Sequence, residues 1–182
     1  MATVTEKTAI PTGIWKSDPV HSSVGFAVKH AVVATFRGSF ADYDVTLANE
    51  DGEPRLYGAV RVASVDVRDE KLNGHLLSPD FFDVERTPRV SFESTSITRH
   101  GDKLTVEGDL EIRGVKQPIT LTGTTAGPVE GPAGERIGFT LETVIDRTSF
   151  GINWNMELPG GGFILDNEVR LTANLEFGKA QA

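Results

Sequence analysis

The 182-residue chain contains no cysteine, which removes a disulfide scaffold, a thiolate zinc site and a cysteine nucleophile together. Long apolar runs are missing too. Polar residues or glycine interrupt every such stretch within a few positions, so the sequence predicts a soluble protein with no transmembrane segment. Basic residues are the minority, 18 Lys+Arg against 26 Asp+Glu for a net charge of −8. They form no cluster that would give the cationic face needed to neutralise phosphates, which excludes nucleic acid as a partner. Residues 1–12, MATVTEKTAIPT, have no basic start, no apolar stretch of signal-peptide length and no small-residue cleavage pattern, so the expectation is a cytoplasmic protein. What is present, 38% hydrophobic residues in a chain of this length, suffices for one domain with a substantial core. We read 1–12 as a flexible N-terminal segment, 13–178 as the domain and 179–182 as a C-terminal tail.

Period-two alternation dominates from Val20 onward. Leu104, Val106, Leu110 and Ile112 oppose Thr105, Glu107, Asp109, Glu111 and Arg113, which makes one face apolar and the other charged. Similar patterns over 20–28, 36–47, 56–62, 90–92, 119–121, 137–145 and 163–177 make about eight strands. Turn residues separate them at Asn49-Glu50-Asp51-Gly52, His100-Gly101-Asp102, Arg113-Gly114, 127–134 and 158–162, and such short loops join antiparallel neighbours. Only 69–77, DEKLNGHLL, reads as a helix, followed by an ordered loop at Ser78-Pro79-Asp80-Phe81-Phe82. Strands of roughly 11 to 15 residues, on the order of 40 Å at about 3.4 Å per residue, favour a closed barrel over a sandwich of short strands. Glycines inside the strand patterns, Gly25, Gly38, Gly58, Gly108 and Gly138, fit sharply coiled strands or plain bulges. The predicted fold is an all-β, extended eight-stranded antiparallel β-barrel with one short helix.

An alternating strand gives the same signal whether its inner face meets other side chains or a ligand. The stock of large inner candidates, Phe26, Phe36, Phe40, Phe92, Phe139, Phe150, Trp154 and Phe163, points to a lumen, and eight strands can just enclose one ligand. An apolar tube with few polar groups suits a long hydrocarbon, each buried methylene contributing about 0.8 kcal/mol. The four histidines, His21, His30, His75 and His100, match no metal-ligand motif, and His21 and His30 are nine apart, on opposite faces of a straight strand. Asp18-Pro19-Val20-His21-Ser22-Ser23 reads as a capped turn rather than a nucleophilic triad. Arg147 offers a donor fork to an anionic head group or pairs with Asp146, Asp166 or Glu168. Asp80 and Asp83 bracket an aromatic plug, Phe81-Phe82, and are read as holding it through bonds to turn amides. Gly160-Gly161-Gly162 lacks the lysine and helix of a phosphate loop and reads as a mobile surface connection.

From residue 15 to about 177 the ordered segments resemble the YceI-like family of lipid-binding proteins. The resemblance is carried by Trp15, Asp18, His21-Ser22, Phe26-Ala27-Val28-Lys29-His30, Phe36, Gly38, Phe40, Leu77, Asp80-Phe81-Phe82-Asp83, Pro88 and Phe92. It continues through Leu104-Thr105-Val106-Glu107-Gly108-Asp109-Leu110, Gln117-Pro118-Ile119, Asp146-Arg147, Ser149-Phe150-Gly151-Ile152, Asp166 and Glu168. It implies a lipocalin-like barrel whose pore holds a polyisoprenoid or similar amphiphile. Members of the family often carry a cleavable signal and are periplasmic or secreted; a cytoplasmic lipid binder and a chain trimmed of its leader both fit the absence of one here.

The leading expectation is a non-enzymatic carrier of a long-chain isoprenoid or quinone-like lipid, serving transport, storage or sequestration, with no cofactor and no metal. Strand phase and size nominate Val24, Phe26, Val28, Phe36, Phe40, Val60, Val62, Phe81, Phe92, Leu110, Ile112, Leu121, Phe139, Leu141, Phe150 and Ile152 for the tail, and His30, Asp146 and Arg147 for the head group at the mouth. The alternative is an isomerase or hydrolase of a prenyl compound with His21 or His30 as general base in the same pocket. A third reading is a surface module whose barrel is filled by its own side chains. Pairing of outer sheet faces would give a homodimer, although no exposed apolar stripe requires it.

Overall fold

In the computed structural model, which describes residues 7–181, the alternating segments become eleven strands of one antiparallel sheet. β1 (Gly13–Ser17), β2 (Ser23–His30), β3 (Ala34–Phe40), β4 (Tyr43–Asn49), β5 (Arg55–Arg61) and the two-residue β6 (Val65–Asp66) precede α1 (Glu70–Leu77). The longer strands follow: β7 (Arg89–His100), β8 (Lys103–Ile112), β9 (Val115–Gly131), β10 (Gly134–Asp146) and β11 (Leu165–Lys179). Eight of them close a ring in the order β1, β4, β5, β7, β8, β9, β10, β11, sealed by the pairing of β11 with β1. Closure leaves no free edge around the ring. Among the described residues, no helix is long and apolar enough to cross a membrane.

The ring is not a simple up-and-down series. β11 offers the edge opposite β10 to two partners in succession, β2 over Leu165 to Asn174 and β1 over Phe177 to Lys179. β1 and β2 thus lie end to end, separated by a turn in which Asp18 Oδ1 accepts from the Val20 and His21 amides. The β2–β3 hairpin extends the wall beyond the ring, with β6 added at its far edge.

Two apolar layers fill the interior. At the end closed by β1, Trp15, Leu47, Leu104, Val106, Ile137, Phe139, Leu141 and Phe177 form a plug in which no side chain is more than 2% exposed. The Phe139 and Phe177 rings meet edge to face at 5.4 Å. Each such burial contributes about 1.5–3 kcal/mol, so this end is a packed core. The second layer surrounds an open space and includes Phe40, Val60, Phe81, Leu110, Ile112 and Ile145.

Glycine has a specific use at two inner positions. A Cβ on Gly38 would lie 2.4 Å from Cζ of Phe26, and one on Gly108 would lie 2.5 Å from Cζ of Phe92. Each phenylalanine occupies the space its cross-strand glycine vacates.

Of the segment expected to be flexible, residues 1–6 lie outside the described residues, as does residue 182 of the tail. Residues 8–10 are docked: the Thr8 amide donates to the Arg99 carbonyl, and Asn49 Nδ2 donates to the carbonyl of buried Ile10. The anchor is the plug, which buries Ile10 with its own side chains.

Candidate functional site

α1 starts where Asp69 accepts from the Leu72 amide as N-cap, and its i, i+3, i+4 face carries Leu72, His75 and Leu76 inward. The loop that follows is tied down by Arg113, whose Nη1 donates to the Pro79 and Phe81 carbonyls. These elements, the β2–β3 hairpin and the inner faces of the ring enclose a cavity of about 540 Å³, within the usual range for small-molecule sites of about 300–1,000 Å³. It stops at the plug, touching Leu56, Leu141 and Leu175, and it opens past the exposed His30, Ala34 and Thr35.

Val24, Phe26, Val28, Phe36, Phe40, Val60, Phe81, Phe92, Leu110, Ile112, Leu121, Leu141 and Ile152 all line this cavity. Val62, Phe139 and Phe150 do not. Phe139 belongs to the plug, Val62 sits in a 3₁₀ turn after β5, and Phe150 lies in the inner apolar layer, buried behind the cavity surface in the turn after β10. Trp154, counted among the large inner candidates, lines it too, whereas Phe163, counted with it, is exposed. Residues not nominated for the tail complete the wall: Leu72, His75 and Leu76 from α1, Phe82, and Leu165, Val169, Leu171 and Ala173 from β11. The β11 residues carried the same alternation as their neighbours, and the helical ones were legible in their spacing.

At the mouth, His30 faces the opening, whereas Arg147 and Asp146 behave differently from expectation. Arg147 is buried. Its Nε donates to the Asp166 carbonyl at 2.9 Å, Nη1 to the Ile152 and Trp154 carbonyls at 2.8 Å each, and Nη2 to Asn167 Oδ1 at 3.3 Å. Burial pushes its pKa down, and most of its donor fork is spent on carbonyls that shape the wall. This is a clamp on the backbone rather than an ion pair or an anion receptor. Asp146 faces solvent and does not line the cavity. Its Oδ1 accepts from the Thr148 hydroxyl and amide, which hold its carboxyl below the usual range.

His75 is the polar landmark of the wall. Its Nε2 lies 3.0 Å from Asp80 Oδ2, and its ring stands edge-on to Phe81 and Trp154 at 4.9 and 4.7 Å. Asp80 is therefore engaged with the helix, not with turn amides as its loop position suggested. His21 lies outside the cavity, in the turn before β2, with Nδ1 3.0 Å from Asp18 Oδ2. That bond raises the His21 pKa and lowers that of Asp18. His21, Asp18 and Glu176 bring ligand atoms within 4.8 Å of one another, a spacing able to hold a cation, but Arg136 Nε stands 3.4 Å from Glu176 and competes for it. None of these groups reaches the cavity.

A closed antiparallel ring with one plugged end and one open apolar cavity is the geometry of a small-ligand binder. A family model described as the YceI-like domain matches residues 15–177. The chain belongs to the YceI-like family. A UPF0312 protein of Staphylococcus aureus is 30% identical over 167 residues, covering 88% of this chain and 94% of its own length. Among solved structures, BcnA of Burkholderia cenocepacia superposes with a TM-score of 0.75 at 23% identity, over 88% of this chain and 98% of that one. A polyisoprenoid-binding domain from Saccharophagus degradans, implicated in plant cell wall breakdown, does so at 0.65 and 11%, over 93% and 100%. At these identities the solved structures establish a shared YceI-like barrel.

Proposed function

We propose that this protein is a non-enzymatic carrier that holds the hydrocarbon tail of a polyisoprenoid or quinone-like lipid in the barrel cavity, with the head group at the mouth beside His30. The observation that carries the reading is the cavity wall. Apart from His30, Thr35, His75, Ser91, Arg147 and Thr172, the residues that line it offer only hydrocarbon, aromatic rings and glycine. A tail of repeated methyl-branched units fits such a wall because it asks for burial and no hydrogen bonds. The polyisoprenoid-binding neighbour with the same barrel supports the tail chemistry. Of the two bases named for an enzymatic alternative, His21 is excluded by its place outside the cavity, and His30 stands at the exposed rim.

The test is retention of a polyprenyl lipid through gel filtration. Phe26→Asp places a carboxylate against the tail and is expected to abolish retention, while Glu107→Lys on the outer face of β8 leaves it unchanged. Equal retention by both variants would remove the cavity assignment, provided circular dichroism shows both folded.

A further inference from the structure

The rim of the cavity is apolar where turn chemistry calls for polar residues. The β2–β3 hairpin turns through Ala31, Val32 and Val33, with Ala31 at φ 49° and Val32 at φ 66°. Positive φ at such a tip selects glycine, asparagine or aspartate, and a β-branched residue there is strained. Val32 is nevertheless 73% exposed and Val33 86% exposed. Local strain without a packing return points to a role for the tip itself.

The tip does not stand alone. The Ala31 amide donates to the Ile164 carbonyl at 2.7 Å, and Ile164 donates to the Met156 carbonyl at 2.9 Å, which sets the 155–157 and 163–165 segments beside the hairpin. There Phe163 is 55% and Met156 53% exposed. The other large apolar side chains exposed among the described residues, Val20, Tyr57, Val129 and Val144, sit singly on different elements. The patch is continuous with the cavity, since His30, Ala34, Ile164 and Leu165 belong to both.

Charge distinguishes the hairpin from the rest of the molecule. In a chain of net charge −8, residues 19–41 contain no acid, while Lys29 and Arg37 are exposed on the hairpin. Glu157 is the one acid in 155–165, and the exposed Asp166 and Glu168 follow on β11. An apolar tip flanked by cations fits the interface of a bilayer bearing anionic lipids, where apolar insertion and attraction to the negative surface act together.

We propose that the cavity mouth docks on an anionic phospholipid bilayer by inserting the 31–33 tip with Phe163 and Met156, so that a lipid passes between bilayer and barrel without crossing water. The inference rests on the carrier reading and adds the surface on which loading occurs. Val32→Asn with Val33→Ser restores turn chemistry at the tip, so the double variant is expected to melt no lower than the parent.

Flotation with vesicles of phosphatidylcholine doped with phosphatidylglycerol is the direct test. The parent is expected to float with doped vesicles and far less with pure phosphatidylcholine, and the double variant to lose about tenfold or more of that partitioning. Lipid extracted from the same variant, loaded from detergent, is expected to match the parent. A parent that fails to float, or a variant that floats equally, overturns the proposal. Loss of extractable lipid together with flotation would also overturn it, because the tip would then be closing the cavity rather than meeting a membrane. Extraction reports the cavity and flotation reports the tip, so lipid-free parent protein would strike the carrier reading by itself.

Discussion

Asp146 and Arg147 are neighbours in the chain and part company in the fold: one caps a 3₁₀ turn from the solvent side, the other is buried with its donors on backbone carbonyls. Residue types near a mouth therefore say little until their partners are known. The Asp18–His21 pair carries a pH signature. His21 is raised above its ordinary 6.5, so its contribution to stability is complete below that value and lost as pH rises through the raised one. Asp18 is held below its ordinary 3.8, so its contribution is present above that value and lost as pH falls through the lowered one. His21→Gln is expected to lower the melting temperature slightly and constantly between those two ordinary values, and not at all in alkaline solution. The effect is small because the pair is exposed. Melting curves across pH check this, and a deficit that persists undiminished at high pH contradicts it.

Among the elements, α1 has the least strand-like sequence and supplies a wall that strands alone leave open, through Leu72, His75 and Leu76. Its start depends on the Asp69 side chain. Asp69→Ala is expected to cost about 1 kcal/mol in denaturant unfolding and to speed release of bound lipid, measured by transfer to acceptor vesicles; unchanged release would show that the helix does not gate the wall. The strands were legible in the sequence because period two is a local property, visible in Leu104 to Ile112 without any knowledge of neighbours. Where the lumen ends was not. Phe92 and Phe139 carry the same alternation, and only the crossing of β1, with Trp15, makes the second part of a plug. The division of β11 between two partners and the clamp at Arg147 likewise arise from contacts distant in the chain. The hairpin tip escaped notice because Ala31, Val32 and Val33, between the strand patterns 20–28 and 36–47, carry none of the glycine, asparagine or aspartate that marks a turn.

For the whole molecule, the decisive feature is asymmetry along the barrel axis. One end is packed solid, and the other holds a cavity of about 540 Å³ open at an apolar rim. In the carrier proposed above, the plug under the cavity would fix the depth to which a tail enters, and selection would rest chiefly on the hydrocarbon buried. Native mass spectrometry of the freshly purified protein, followed by organic extraction, reads that selection directly. The account predicts one amphiphile with a long hydrocarbon tail per chain, or, where purification has stripped it, one-to-one uptake of an added polyprenyl lipid. A chain that emerges at its apo mass and stays there when polyprenyl lipids are supplied would contradict it.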